Sequence, residues 1–164
     1  VEEKIIDPGK ALDRVAKLLL ELLESEDGFV SDGMDLALCV WNKKTNELKL
    51  SGANQPFYII RDGELNIIKS NKQPIGYFED ITLFTTHTYQ ASEGDQIILF
   101  SDGYKDQFGG AKGKKFGIRR FNNVLLKYSS KSLYDQKQAL LKELNEWMKK
   151  EDQVDDICIF SIKF

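Results

Sequence analysis

Residues 36–69 read LALCVWNKKTNELKLSGANQPFYIIRDGELNIIK, and four short apolar runs stand out: Leu36 to Trp41, Glu47 to Ser51, Phe57 to Arg61 and Leu65 to Lys69. The sets Asn42 to Asn46, Gly52 to Pro56 and Asp62-Gly63 separate them. Asn, Asp and Gly tolerate the backbone angles of tight reversals and Pro presets one of them, so the stretch predicts four strands joined by three successive hairpins. Two further strands are expected downstream. Thr82 to Tyr89 is rich in Thr and aromatic residues, which suit a pleated surface, and Gln96 to Phe100 is a compact apolar run ending at Ser101-Asp102-Gly103.

Helical spacing frames this meander. Leu12, Val15, Leu18, Leu19, Leu22 and Leu23 recur as one face of a helix over residues 8 to 24, entered by an Asp7 cap and Pro8. A loop is expected around Gly28 to Gly33, and another closes at Gly76. Residues 116 to 128 and 132 to 149 follow the helical pattern, and Ile157 to Phe164 reads as a last strand. Its run Ile157, Cys158, Ile159, Phe160 lacks polar alternation, the pattern of a strand covered on both faces at the centre of a sheet. The fold class that follows is α+β, with helices covering a mostly antiparallel sheet. At 164 residues and 41% hydrophobic, the chain is expected to form a single domain over residues 1–164.

A net charge of −3 gives no field that would recruit nucleic acid or an anionic membrane. No apolar run approaches the roughly 18 to 20 residues that span a bilayer, and the acidic N-terminus is unlike a signal peptide. A cytoplasmic protein without direct membrane insertion is the expectation. Cys39 and Cys158 sit inside apolar runs, where small buried hydrophobes are expected rather than a disulfide or a nucleophile.

One histidine, His87, lies among threonines in an expected strand, which leaves a Ser-His-Asp or Cys-His machine little to build on. There is no Walker-type glycine loop and no CxxC pair. Carboxylates remain. Asp102 follows one apolar run, and Asp155 and Asp156 precede another. If those strands are antiparallel neighbours, the acids meet at one edge of the sheet. Their mutual repulsion would be relieved by a divalent cation with hard oxygen ligands, Mg²⁺ or Mn²⁺. Spacing alone leaves open the alternative that Asp102-Gly103 is an ordinary turn and Asp155-Asp156 a solvated strand start.

The strings Leu99-Phe100-Ser101-Asp102-Gly103 and Asp155-Asp156-Ile157-Cys158 resemble the two C-terminal metal motifs of the type 2C, metal-dependent protein phosphatases, in the bacterial branch represented by SpoIIE and RsbU. Asp32-Gly33-Met34-Asp35-Leu36-Ala37-Leu38-Cys39, Gly52-Ala53-Asn54-Gln55-Pro56, Gln73-Pro74-Ile75-Gly76 and Lys115-Phe116-Gly117 resemble successive blocks of that branch, in the same order. The resemblance implies a β-sandwich flanked by helices. It also implies hydrolysis of phosphoserine or phosphothreonine by water held on two Mg²⁺ or Mn²⁺ ions. Asp102 and Asp155 would correspond to metal ligands, with Gly103, Asp156 and Asn54 beside them. For Asn54 and Gln55 a plain turn competes with a polar rim near the site. Asp32 and Asp35 are expected at a strand entrance, and Arg61 on a solvated hairpin end.

The family carries an upstream block reading Asp, two variable residues, Gly-His-Gly, whose aspartate bridges the metals, and this sequence has no such block. The expectation is a domain truncated at its N-terminus, weak or inactive alone, with an exposed sheet edge open to homo-oligomers. By resemblance its partners would be a phosphorylated protein substrate, such as an anti-sigma-factor antagonist, and an upstream sensor or regulatory domain. The competing readings are a non-catalytic interaction module with the phosphatase fold, and an unrelated α+β domain whose acidic turns are accidental.

Overall fold

The structure is a computed structural model that describes residues 5–25, 28–29, 33–77 and 82–164. Its strands longer than two residues are β1 (Leu36–Asn42), β2 (Glu47–Ala53), β3 (Phe57–Arg61), β4 (Glu64–Ile68), β5 (His87–Gln90), β6 (Gln96–Phe100) and β7 (Ile159–Lys163). Its helices are α1 (Pro8–Leu23), α2 (Gly103–Asp106), α3 (Ile118–Tyr128) and α4 (Leu133–Met148). These elements form two compact units, Val1–Phe57 with Ile67–Ser92, and Tyr58–Asn66 with Glu93–Phe164.

The first unit holds the antiparallel sheet β1-β2-β5. Asn46, at a φ of 55°, closes the hairpin between β1 and β2, a conformation that Asn adopts more readily than most residues. Helix α1 begins as its sequence predicts, with the amide of Lys10 donating to Asp7 Oδ1 at 3.0 Å and Pro8 in the first turn. The Thr86 hydroxyl donates to the same oxygen at 2.8 Å. Leu12 and Ala16 pack with Ala53, Ile75 and Phe84, and burial of a side chain such as Leu12 contributes roughly 1.5–3 kcal/mol. Val15, Leu18 and Leu22, on the expected apolar face, are exposed.

Two expectations fail here for a common reason: side chains and loop backbone take the hydrogen bonds that a ladder would need. The middle hairpin does not form, because β2 pairs with β1 and β5 whereas β3 pairs with β6 and β4. The Asn54 amide donates to Asn71 O at 2.9 Å and the Asn71 amide to Gly52 O at 3.1 Å, so the end of β2 is already engaged. The strand expected over Thr82 to Tyr89 shrinks to His87–Gln90. The amides of Thr82, Phe84 and Thr85 donate instead to the side chains of Gln73, Asp13 and Asn71.

The second unit holds the sheet β7-β6-β3-β4. Asp62 and Gly63, at φ 52° and 77°, turn the β3–β4 hairpin, the left-handed pair that matches strand twist. Helices α3 and α4 contribute Phe121, Val124, Leu125 and Leu144 to a core with Tyr58, Ile60, Ile98, Tyr104 and Phe116. The Ser132 hydroxyl caps α4, accepting from the Asp135 amide at 3.1 Å.

Three expectations are corrected in this unit. Strand β7 is at the sheet edge rather than its centre, with β6 as its partner among the described residues, and Phe160 is 54% exposed. Cys158, expected to be buried, is exposed, and Cys39 in the first unit is half-buried. An unbroken apolar run therefore marked an edge that its own unit covers on one side. Arg61 ends its hairpin strand partly exposed, as expected, but is not simply solvated: its Nε donates to Asp95 Oδ1 at 2.7 Å and its Nη2 to Asp95 Oδ2. Asp95 is 2% exposed, so this two-pronged pair neutralises a carboxylate that burial would otherwise penalise.

Candidate metal centre

Strands β6 and β7 are antiparallel neighbours, from Gln96↔Lys163 to Phe100↔Ile159. The pairing continues past β6, where the Ser101 amide donates to Cys158 O at 2.9 Å. The Ser101 hydroxyl ties the same two segments twice more, donating to Asp156 O at 2.7 Å and accepting from the Cys158 amide at 2.8 Å. This geometry brings the Asp102 turn against the backbone of Asp156, which follows Asp155 in the chain. Gly103 permits the approach, since a Cβ there would stand 2.4 Å from Asp156 O and 2.9 Å from its carbonyl carbon. A carbon and a carbonyl oxygen approach comfortably to about 3.3 Å, so only glycine fits without displacement.

Asp102, Asp155 and Asp156 are all exposed. Asp102 stands at the N-cap of α2 yet makes no side-chain cap bond, unlike the usual Asp in that position. Its carboxylate is left for another use. Asp155 turns Oδ1 onto the Asp156 amide at 2.7 Å. Asp106, the next acid along α2, is engaged with Lys105 and Lys115 at 3.4 and 3.2 Å. Burial raises the Asp106 pKa, but the Lys115 hydrogen bond and the Lys105 charge outweigh it and leave the carboxyl below its usual value.

The donors suit Mg²⁺ or Mn²⁺ in kind, being hard carboxylate oxygens with no thiolate or imidazole among them. In number they fall short: among the described residues no group of three or more His, Cys, Asp or Glu side chains is placed to hold a metal ion.

The remaining sequence candidates lie in the first unit. Asn54, at φ 55°, donates from Nδ2 to Asp35 Oδ1 at 2.8 Å, which ties the β2 exit to the entrance of β1. Gln55 is half-buried in the same turn, and His87 is half-buried on β5 opposite Leu50. Asp32 lies outside the described residues. Sequence reasoning did not single out Ser101 or Gln107. A hydroxyl directly before Asp-Gly at a strand end was a usable signal for the first, whereas nothing local marks the second.

A family model described as Stage II sporulation protein E (SpoIIE) matches residues 2–164. Among solved structures, the SiaA-PP2C domain of Pseudomonas aeruginosa is similar at 28% identity and a TM-score of 0.85, over 97% of this chain and 61% of that one. The PP2C phosphatase domain of SpoIIE from Bacillus subtilis, with a fragment of its regulatory domain, is similar at 17% identity and a TM-score of 0.70, over 99% and 45%. The RsbU and RsbW domains of a Mycobacterium tuberculosis protein are similar at 14% identity and a TM-score of 0.64, over 98% and 42%. The last two likenesses are likenesses of fold. This chain spans less than two thirds of each of the three. Among curated proteins, none matches it in sequence.

Proposed function

This chain belongs to the SpoIIE family, and from that premise we propose that it forms part of a single catalytic domain of a protein serine/threonine phosphatase in bacterial signalling. The observation that supports this most is the pinning of the Asp102 turn against Asp156, the residue next to Asp155, by Ser101 and Gly103. Asp102 and Asp155 would hold Mg²⁺ or Mn²⁺, with Gly103 and Asp156 shaping the backbone beside them. A bound ion of this kind supplies Lewis acidity that makes water a competent nucleophile toward a phosphate ester. The substrate would be a phosphoserine or phosphothreonine protein, with an anti-sigma-factor antagonist as the specific proposal. A regulatory domain elsewhere in the full-length protein would govern it. No helix among the described residues is long and apolar enough to cross a membrane, and the cytoplasm is the compartment we propose.

The test is phosphate release from a phosphoserine or phosphothreonine peptide by the full-length protein with Mn²⁺. Release that Asp102→Asn or Asp155→Asn abolishes supports the reading. Because fewer than three metal-capable side chains gather among the described residues, a non-catalytic interaction module with the same fold stands as the second reading. A folded full-length protein that releases no phosphate with Mn²⁺ would favour it.

The exposed edge of β7 suits a second copy of this chain. Cys158 and Phe164 direct their backbone groups to the β6 side, so by alternation Ile159, Ser161 and Lys163 direct theirs outward. A two-fold pairing centred on Ser161 would set Lys163 against Ile159 of the second copy and keep the lysines apart. Ser161→Pro removes an outward amide together with the Ser161 hydroxyl's bonds to Ile97 O and Gln96 Nε2, so the variant is first shown by circular dichroism to be folded; it should then convert a dimer seen by sedimentation into monomer, and a dimer that survives it does not use this edge.

A further inference from the structure

Beyond Met148 the chain carries Asp155 toward Asp102 through Glu151–Asp156, a stretch without regular structure and exposed at every residue. Side-chain burial cannot hold such a segment in place, so its position depends on hydrogen bonds. Among the described residues, the side chains that reach it from elsewhere in the sequence are those of Ser101 and Gln107. Ser101 bonds Asp156 and Cys158, on the far side of Asp155. Gln107 bonds the near side: its Nε2 donates to Asp152 O at 2.8 Å, and its Oε1 accepts from the Val154 amide at 3.4 Å.

Gln107 is fully buried, at 0% exposure. A primary amide is costly to bury unless its donors and acceptor are used, and here they are used: the second Nε2 bond goes to Phe108 O at 3.2 Å. The backbone of Gln107 is anchored in turn, its carbonyl accepting from Trp147 Nε1 at 3.1 Å and from the Phe116 amide at 2.8 Å. Arg120 lies over the Trp147 ring at 3.9 Å, and Gly109 and Gly110 lack the Cβ that would collide with it. Thus a residue at the end of α2, the helix that Asp102 opens, reaches the loop that presents Asp155 and is itself fixed to the core.

We propose that Gln107 is a positioning residue of the metal centre, setting the place of Asp155 relative to Asp102 and thereby the affinity of the pair for a divalent cation. This rests on the metal-centre reading given above. The experiment uses the full-length protein and its Gln107→Met variant, with Gln136→Met as a control. Gln136 is another buried glutamine of the same unit, and it bonds Gln96 rather than the loop. Two readouts are taken: amide hydrogen exchange without metal, and Mn²⁺ affinity by calorimetry. Gln107→Met should speed exchange of the 152–156 amides, leave α3 and β6 protected, and weaken Mn²⁺ binding by about five- to tenfold, as expected for one to two lost hydrogen bonds. Gln136→Met should do neither. Unchanged loop exchange, or unchanged Mn²⁺ affinity in a protein whose wild type binds, overturns the role of Gln107 alone. A wild type that binds no Mn²⁺ overturns the metal-centre reading and this role with it. If Gln107→Met does not fold, Gln107→Leu, which neither donates to Asp152 O nor accepts from the Val154 amide, takes its place, and the same outcomes apply.

Discussion

Replacing Gly103 by alanine tests the contact between the two acidic segments. Gly103 opens α2 with an ordinary backbone angle, so helix propensity alone would favour alanine by about 0.8–1 kcal/mol. The added Cβ, however, would lie 2.4 Å from Asp156 O, 2.9 Å from its carbonyl carbon and 3.1 Å from Ile157 Cγ1. Relaxing the first contact to about 3.3 Å requires the segments to part by about 0.9 Å. Three hydrogen bonds of 2.7 to 2.9 Å between Ser101 and the segment from Asp156 to Cys158 oppose that movement. Overpacking of this kind costs about 1–3 kcal/mol, more than the propensity gain over most of that range. Because the contact is with backbone fixed by those hydrogen bonds, the upper part of the range applies, about 2–3 kcal/mol; less a propensity gain of about 1 kcal/mol this leaves about 1–2 kcal/mol, and with about 2–4 °C of Tm per kcal/mol for a chain of this size, Gly103→Ala should lower the metal-free melting temperature by about 2–8 °C. Circular dichroism melting reads this directly. An unchanged or raised Tm would refute the claim that the Asp102 turn and Asp156 are in backbone contact.

Three other perturbations follow from the same structure. Arg61→Ala removes the two-pronged partner of a carboxylate that is 2% exposed, and should cost about 3 kcal/mol in urea unfolding, the low end for a broken buried pair because Arg61 itself is partly exposed; a loss under about 1 kcal/mol would mean the pair is dispensable. Asp7→Ala should destabilise by about 1 kcal/mol at pH 7. The Lys10 amide and the Thr86 hydroxyl hold the Asp7 carboxyl below its usual 3.8, so its stabilisation is complete above that value and disappears as the pH falls through the lower folded one. A wild-type advantage that instead grew on acidification would contradict the cap. Cys158 is exposed, whereas burial pushes the Cys39 thiol pKa up, so a thiol reagent should modify Cys158 first, and equal rates at the two sites would count against the exposed position of Cys158.

What the sequence made legible was local. The Asp7-Pro8 entry to α1, the Asp62-Gly63 hairpin and the apolar run of β6 each carry their signal within a few residues, and each is where it was expected. The strand pairing was less legible, because Asn71 engages the end of β2 from 17 or more residues away and a turn-like Gly52 to Pro56 does not disclose it. The edge position of β7 was hidden for a related reason: apolar content reports that a face is coverable, not which strands cover it. At the candidate centre, the acids were visible as residues at strand ends. Their support was not, since Gln107 is an unremarkable glutamine in sequence and becomes an anchor only through carbonyls and amides 45 and 47 positions away.

The most direct measurement is calorimetric titration of Mn²⁺ into the full-length protein and into its Asp102→Asn and Asp155→Asn variants, each first shown to melt like the wild type without metal. Binding by the wild type that each substitution weakens by at least about tenfold, as expected when one carboxylate ligand is lost from a hard-oxygen site, is the predicted result. Equal affinity in all three proteins would place the metal elsewhere and contradict the assignment of Asp102 and Asp155.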